Sequence, residues 1–220
     1  MNNHHDIKKL SNSVSKFVVA MEGNVSKKTN DLIFIKSSGS YLSKLDDNEI
    51  VCYDFNENQK SNFSKRGSME LGFHTYLLGF ENNNYISHTH PVNTLKILCG
   101  KFSKLFAKKR LFPDQVIFNG HKSCLVPYVK PGKDLTIEIK KNVEKFIEKE
   151  EYFPKLILLE NHGIITCGKT VEECIVSTEI CEKSAEIFLQ NTNKSNFLSK
   201  KDIKDLLTDE NEKYRKNRLL

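Results

Sequence analysis

No two cysteines of this 220-residue chain form a C-x-x-C pair: Cys52, Cys99, Cys124, Cys167, Cys174 and Cys181 all lie further apart. That spacing argues against a disulfide framework or a cysteine zinc site, and reduced core thiols are expected instead. Long apolar runs are missing as well. Nothing approaches the roughly 20 consecutive apolar residues of a membrane helix, and the mean hydropathy is −0.48, so no membrane partner is expected. The opening Met1-Asn2-Asn3-His4-His5-Asp6 has no basic stretch followed by an apolar core. A secretory signal is therefore absent and a cytoplasmic address is expected. The net charge of +6 comes mostly from lysines interleaved with acids. It lacks the arginine and aromatic clustering of a nucleic-acid surface, so no nucleic-acid partner is expected. Such a field still favours small anionic substrates, phosphate esters or carboxylates among them. No repeat and no linker divides the chain, and residues 1–220 are read as one domain of ordinary size.

Apolar periodicity places the elements. Ile7, Leu10, Val14, Phe17 and Val18 recur at helical spacing, which predicts an amphipathic helix over 7–18. Residues 32–35 and 49–55 look like strands, with Ser37-Ser38-Gly39-Ser40 as the break after the first. Ser68 is placed to cap a helix running to Leu78, with Glu70 and His74 one turn apart on one face. A strand is expected over 85–90, then a helix opened by Pro91 and closed by Gly100. Strands are expected at 116–118, 124–126, 155–160 and 164–167, and a helix over 134–149. Thr170 and Glu173 form a capping box for a helix reaching Leu189. Cys174 and Cys181 share one face of it as small buried groups. A last helix is expected around 203–207.

Two segments carry the chemistry. In His88-Thr89-His90-Pro91 the histidines are two apart in an extended segment, so both imidazoles point one way and can reach one cation. Leu158-Leu159-Glu160-Asn161-His162-Gly163 is a buried strand ending in a histidine, followed by a glycine that permits a tight turn. On the residues alone each histidine is more readily a loop or hydrogen-bonding group than a metal ligand.

Taken together with three other segments, they are similar to the class II aldolase/adducin superfamily in family order. The matching segments are Glu22-Gly23-Asn24-Val25-Ser26, Ile35-Lys36-Ser37-Ser38-Gly39, Ser68-Met69-Glu70 with His74, His88-Thr89-His90-Pro91, and Asn161-His162-Gly163 with Gly168 and Glu173. The resemblance runs from about Glu22 to Tyr214. The stretches 111–118 and 126–128 resemble the branch that contains the aldolase domain of two-part rhamnulose-phosphate aldolase/dehydrogenase proteins, though no dehydrogenase half is present.

The resemblance implies a three-layer α/β fold, with a central, mostly antiparallel sheet flanked by helices. It implies that His88, His90 and His162 hold zinc, and that Glu70 is the catalytic acid/base. Manganese, cobalt or iron also suit three histidines. Three neutral imidazoles leave the cation its full charge and open positions, as a catalytic site requires. The family's phosphate pocket maps onto Gly23, Asn24, Ser38, Gly39 and Ser68. Met69 stands where a second serine is common, which removes one donor; Lys36 or Arg66 is a substitute. The implied activity is retro-aldol cleavage of a hydroxy-ketose, a sugar phosphate or free sugar. Epimerisation, dehydration or keto-acid decarboxylation on the same zinc, and a non-catalytic adducin-like module, are the alternatives. His74 is expected to be a structural hydrogen-bonder, and the family precedent implies a homotetramer with sites near subunit interfaces.

Overall fold

The computed structural model describes residues 4–61, 64–191 and 195–218. The chain opens with α1 (His5–Val14), then β1 (Asn24–Thr29), β2 (Leu32–Lys36), β3 (Ile50–Asp54) and α2 (Leu71–Leu78). Next come β4 (Tyr85–Thr89), α3 (Val92–Leu98), α4 (Ser103–Lys108), α5 (Pro113–Asn119) and β5 (Cys124–Val126). The remainder is α6 (Lys133–Glu150), β6 (Leu156–Leu159), β7 (Gly163–Gly168), α7 (Val171–Gln190), α8 (Lys200–Thr208) and α9 (Glu210–Asn217).

The strands form one seven-stranded sheet in the order β3-β2-β1-β4-β7-β6-β5. Every pairing is antiparallel except β5 with β6. Strand alternation sorts the side chains onto two faces. Ile33, Ile86, Ile157, Leu159, Ile165 and Cys167 pack with α2 and α6 through Phe73, Leu77, Leu135, Ile139 and Val143. On the other face Val25 and Phe34 meet α1, while Leu156, Leu158 and Ile164 meet Cys181, Ala185 and Phe188 of α7. Helices thus cover both sides of a mixed, mostly antiparallel sheet, the three-layer α/β arrangement expected. Among the described residues no helix is long and apolar enough to cross a membrane.

Several local expectations need correction. Residues 116–118 are helical, not extended: Pro113 occupies the first turn of α5, and Gly120, at φ +76°, follows its end. An apolar triplet alone cannot separate the two states, and Pro and Gly decide here. The helix expected from Ser68 begins at Leu71, with Glu70 at its N-cap; the Ser68 hydroxyl receives the Glu70 N–H at 3.3 Å and so closes the turn ahead of it. Thr170 accepts the Glu173 N–H at 3.2 Å as the capping box requires. The Glu173 carboxylate instead takes the Lys169 N–H at 2.6 Å, so only half of the box forms.

β1 was not foreseen because its sequence, Asn-Val-Ser-Lys-Lys-Thr, is polar, yet it lies near the sheet centre between β2 and β4. Its Lys28 and Ser26 find partners on α2 and just past its end, distant in sequence. Lys28 donates to the carbonyls of Leu78 (2.7 Å) and Phe80 (3.2 Å), placing its charge at the C-terminal end of α2 where the helix dipole favours a cation. Arg110 is buried without a carboxylate partner among the described residues. Its guanidinium instead donates to the carbonyls of Gly120, Phe106, Ala107 and Lys109 and to the Ser123 hydroxyl.

Candidate metal centre and acid/base site

β4 delivers His88 and, one residue beyond its end, His90. Register sets His88 opposite Asn24 of β1 and Ile165 of β7, so both neighbouring strands fix it. His162 lies in the β6–β7 turn, which brings it back against β4. Asn161 there adopts φ +54°, the left-handed region that asparagine tolerates better than most residues. A Cβ on Gly163 would stand 2.5 Å from both His90 Cδ2 and the Thr89 carbonyl, so only glycine lets the turn approach this closely. The three rings lie 4.8–5.3 Å apart between centroids, and one ligand nitrogen from each falls within 4.8 Å of the others.

Proton placement matters more than proximity. His88 Nδ1 donates to the Ile164 carbonyl at 2.9 Å, which leaves the lone pair on Nε2. His90 Nδ1 lies 3.3 Å from Oε2 of Glu22, and a proton there leaves the lone pair on its Nε2 as well. Those two Nε2 atoms face each other at 3.2 Å. Two nitrogens on one tetrahedral zinc stand roughly 3.3 Å apart, so the pair already has the spacing of ligands. Without a cation either two lone pairs confront each other, or His90 turns its bare Nδ1 toward a carboxylate. A divalent cation resolves both conflicts, and the residues present therefore fit one. Burial holds His88 down at about 4. Burial, with His88 adding to it, does the same for His90 and His162, again to about 4. All three are thus neutral, ligand-ready bases near pH 7.

Glu70 enters from the opposite layer. It is buried at the N-cap of α2, with Oε2 3.4 Å from His88 Nε2 and Oε1 3.7 Å from His162 Nε2. Asn24 Nδ2 donates to Oε2 at 2.8 Å and also to the Ser68 hydroxyl at 3.1 Å. Oε1 is buried and has no hydrogen-bond partner among the described residues. His74 is wholly buried. One of its ring nitrogens meets the Ser26 hydroxyl at 2.6 Å and the other the Asn24 side-chain oxygen. His74 therefore settles which way the Asn24 amide points, and Asn24 in turn holds Glu70. Burial pushes the His74 pKa well below its ordinary value, which keeps the ring neutral.

The segments matched to a phosphate pocket converge beside Glu70. Gly23, at φ +67°, passes so near β4 that a Cβ would stand 2.6 Å from the His88 carbonyl. The Ser38 N–H bonds the Arg66 carbonyl at 2.9 Å and the Ser68 N–H bonds the Lys36 carbonyl at 3.1 Å, stitching the two turns together. Ser38 and Gly39 (φ +81°) are exposed, and nothing lies within 4 Å of a Cβ built on Gly39. Asn24, by contrast, has both amide hydrogens engaged, on Ser68 and Glu70. Met69 is exposed and Arg66 extends from the surface. Lys36 is buried, with only long contacts to the Ser37 (3.3 Å) and Met21 (3.5 Å) carbonyls, and burial lowers its pKa to about 8 against the pull of Glu49 and Glu70.

Sequence reasoning assigned no task to Glu22, Ser26 or the Ile164 carbonyl. Glu22 had a visible signal, a carboxylate next to the glycine that crosses β4. The other two become apparent only through strand register.

The chain and its fold both have known relatives. Residues 11–189 match the Class II Aldolase and Adducin N-terminal domain family. An L-fuculose phosphate aldolase of Methanococcus maripaludis is 32% identical over 173 residues, covering 78% of this chain and 86% of that protein. Among solved structures, an L-fuculose 1-phosphate aldolase superposes with TM-score 0.75 at 19% identity, covering 96% of this chain and 95% of the other. A sugar-phosphate aldolase from Thermotoga maritima gives TM-score 0.70 at 20% identity, covering 84% and 93%. By its sequence this chain belongs to the class II aldolase/adducin family.

Proposed function

We propose that this chain is a metal-dependent carbon–carbon lyase that cleaves a hydroxy-ketose phosphate by retro-aldol chemistry. In this reading a single class II aldolase-type domain acts in the cytoplasm as a homo-oligomer, a tetramer by family precedent. The observation that carries it is the pair of imidazole Nε2 atoms set 3.2 Å apart, with their other nitrogens already turned toward partners. His88, His90 and His162 would hold the cation, zinc by preference. When bound, such a cation supplies Lewis-acid polarisation of a carbonyl oxygen.

The chain's own groups do the rest. Glu70 keeps one carboxylate oxygen on Asn24 and leaves Oε1 free, so it can take the hydroxyl proton as the carbon–carbon bond breaks and return one to the carbon that gains the electron pair. An aldehyde and a shorter ketone result, and protons balance. Its burial excludes water that would compete for the proton. The exposed Ser38–Gly39 turn offers a hydroxyl and backbone N–H groups for the phosphate, with Gly23 and Ser68 beside it. Lys36 stands one residue from that turn as the substitute for the donor that Met69 lacks. Asn24 contributes through Glu70 and Ser68, to which its amide is tied.

Fuculose phosphate is the first substrate to test, because two relatives matched over 78% of this chain are L-fuculose phosphate aldolases by name. The test pairs elemental analysis with aldehyde release from ketose phosphates. Wild type should carry near-stoichiometric metal, Glu70→Gln should keep the metal and lose cleavage by about 10²–10⁴-fold, and His162→Ala should lose both. Wild-type protein that binds no divalent metal would sink the proposal.

A further inference from the structure

Each of the three histidines is backed differently. His88 is braced by the Ile164 carbonyl, and Nδ1 of His162 has no hydrogen-bond partner among the described residues. Behind His90 stands the Glu22 carboxylate, whose position is fixed by its own turn. Oε2 of Glu22 accepts the Val19 N–H at 3.0 Å, while the Glu22 N–H donates to the Val19 carbonyl at 3.1 Å. The turn is tight, with Ala20 at φ +53° and Gly23 at φ +67°. The same segment also grips His90 by its backbone, for the His90 N–H donates to the Phe17 carbonyl at 3.1 Å. Although its side chain is 45% exposed, Glu22 does not extend into solvent, and its oxygen lies 3.3 Å from His90 Nδ1.

We infer that Glu22 is a positioning residue that fixes the Nδ1–H tautomer and ring orientation of His90, making it the most strongly donating of the three ligands. This rests on the proposed metal-dependent function. The physical ground is that a carboxylate accepting the remote N–H of a ligating imidazole holds the ring in place and raises its basicity. Charge supports the assignment. Three neutral imidazoles leave a divalent cation uncompensated, and Glu70 and Glu22 together bring two carboxylates to the three rings. Glu70 approaches His88 and His162; Glu22 serves the ring that Glu70 does not reach.

The experiment measures zinc affinity of the intact protein by competition with a chromophoric chelator, for wild type, Glu22→Ala, Glu22→Gln and, as a control for net charge, the exposed Glu186→Ala. Imidazole ¹⁵N shifts of the metal-free proteins are recorded beside it. Removal of such a partner costs about 10–100-fold in metal affinity, so Glu22→Ala should bind zinc at least 10-fold more weakly, while Glu186→Ala stays within 2-fold of wild type. Glutamine keeps an acceptor and should recover most of the loss. His90 should be an Nδ1–H tautomer in wild type and Glu22→Gln, and a mixture in Glu22→Ala. Equal affinity of wild type and Glu22→Ala, a glutamine variant as weak as alanine, or an unchanged tautomer in Glu22→Ala would each overturn the positioning role and leave the proposed function standing. Wild type that binds no zinc would overturn both.

Discussion

The most discriminating single substitution is Gly163→Ala, because it touches the fold and the site at one atom. A methyl group there would begin 2.5 Å from the Thr89 carbonyl oxygen and 2.5 Å from His90 Cδ2. Comfortable contact needs about 3.5 Å or more, so roughly 1 Å must be found. The Thr89 oxygen belongs to backbone at the end of β4, whose residue Thr89 pairs with Ile164, and cannot yield cheaply. The ring of His90 is the softer side. Overpacking of this kind costs about 1–3 kcal/mol, which in a domain of this size lowers the thermal midpoint by roughly 2–4 °C per kcal/mol. The displaced ring also leaves its place opposite His88 Nε2. A misplacement of about 1 Å can cost 10²-fold in rate, and metal affinity should fall with it. Thermal unfolding with and without added zinc measures both effects: the variant should melt lower and gain less from zinc than wild type. A Gly163→Ala protein with an unchanged midpoint and an unchanged zinc-induced shift would refute the claim that the turn's close approach builds the site.

Two further outcomes follow from groups already described. Arg110→Lys replaces a fork that serves four carbonyls and a hydroxyl with a single ammonium, so buried acceptors lose partners at about 1–3 kcal/mol each; urea unfolding should show a loss of at least about 2 kcal/mol. In the metal-free protein the three site histidines have folded pKa values of about 4, below the ordinary 6.5. Between those values the unfolded chain binds more protons than the folded one, so stability falls as pH drops from about 7 to about 4 and levels off below. His74 adds to the same trend. The urea midpoint of metal-free His162→Ala should therefore depend less steeply on pH across this window than wild type, and an equal slope would contradict the assignment of a half-buried, neutral His162.

What the sequence disclosed depended on whether one residue's environment was local. The helices α6 and α7 carry sustained apolar periodicity, and β6 is a continuous apolar run ended by a glycine turn, so their spans were legible within a residue or two. The cluster of His88, His90 and His162 was legible only as motifs, since neither H-x-H nor a strand-end histidine specifies a cation alone. β1 escaped notice because its lysines and serine read as a solvated segment, whereas Lys28 is satisfied by the end of α2 and Ser26 by His74, both distant in sequence. The helix α9 has no buried residue to create a pattern; Arg215 ties it to Asp114 of α5 through an ion pair 101 positions away. Glu22, though visible beside Gly23, was named without a task. Its partner, His90, becomes its neighbour only after β1 and β4 have paired.

The division of labour across the sheet explains why polar residues occupy its middle. Asn24 and Ser26 point toward α2 from a strand whose opposite face carries the buried Val25. Apolar residues at those two positions would pack against Phe73 and His74 with greater hydrophobic gain, at about 25 cal/mol per Å² of buried apolar surface. They would leave His74 and Glu70 as buried polar groups without partners, a cost of about 1–3 kcal/mol each. The network Ser26–His74–Asn24–Glu70 is therefore self-consistent as a whole and unfavourable in part. Its outcome is that the residue holding the carboxylate, Asn24, and the histidine His88 are positioned by the same strand pairing. Asn24 lies in register with His88, and His88 in register with Ile165 beside the His162 turn. Backbone register of the sheet thereby fixes Asn24, which holds the Glu70 carboxylate, against His88, while His162 comes to the same place from the turn between β6 and β7.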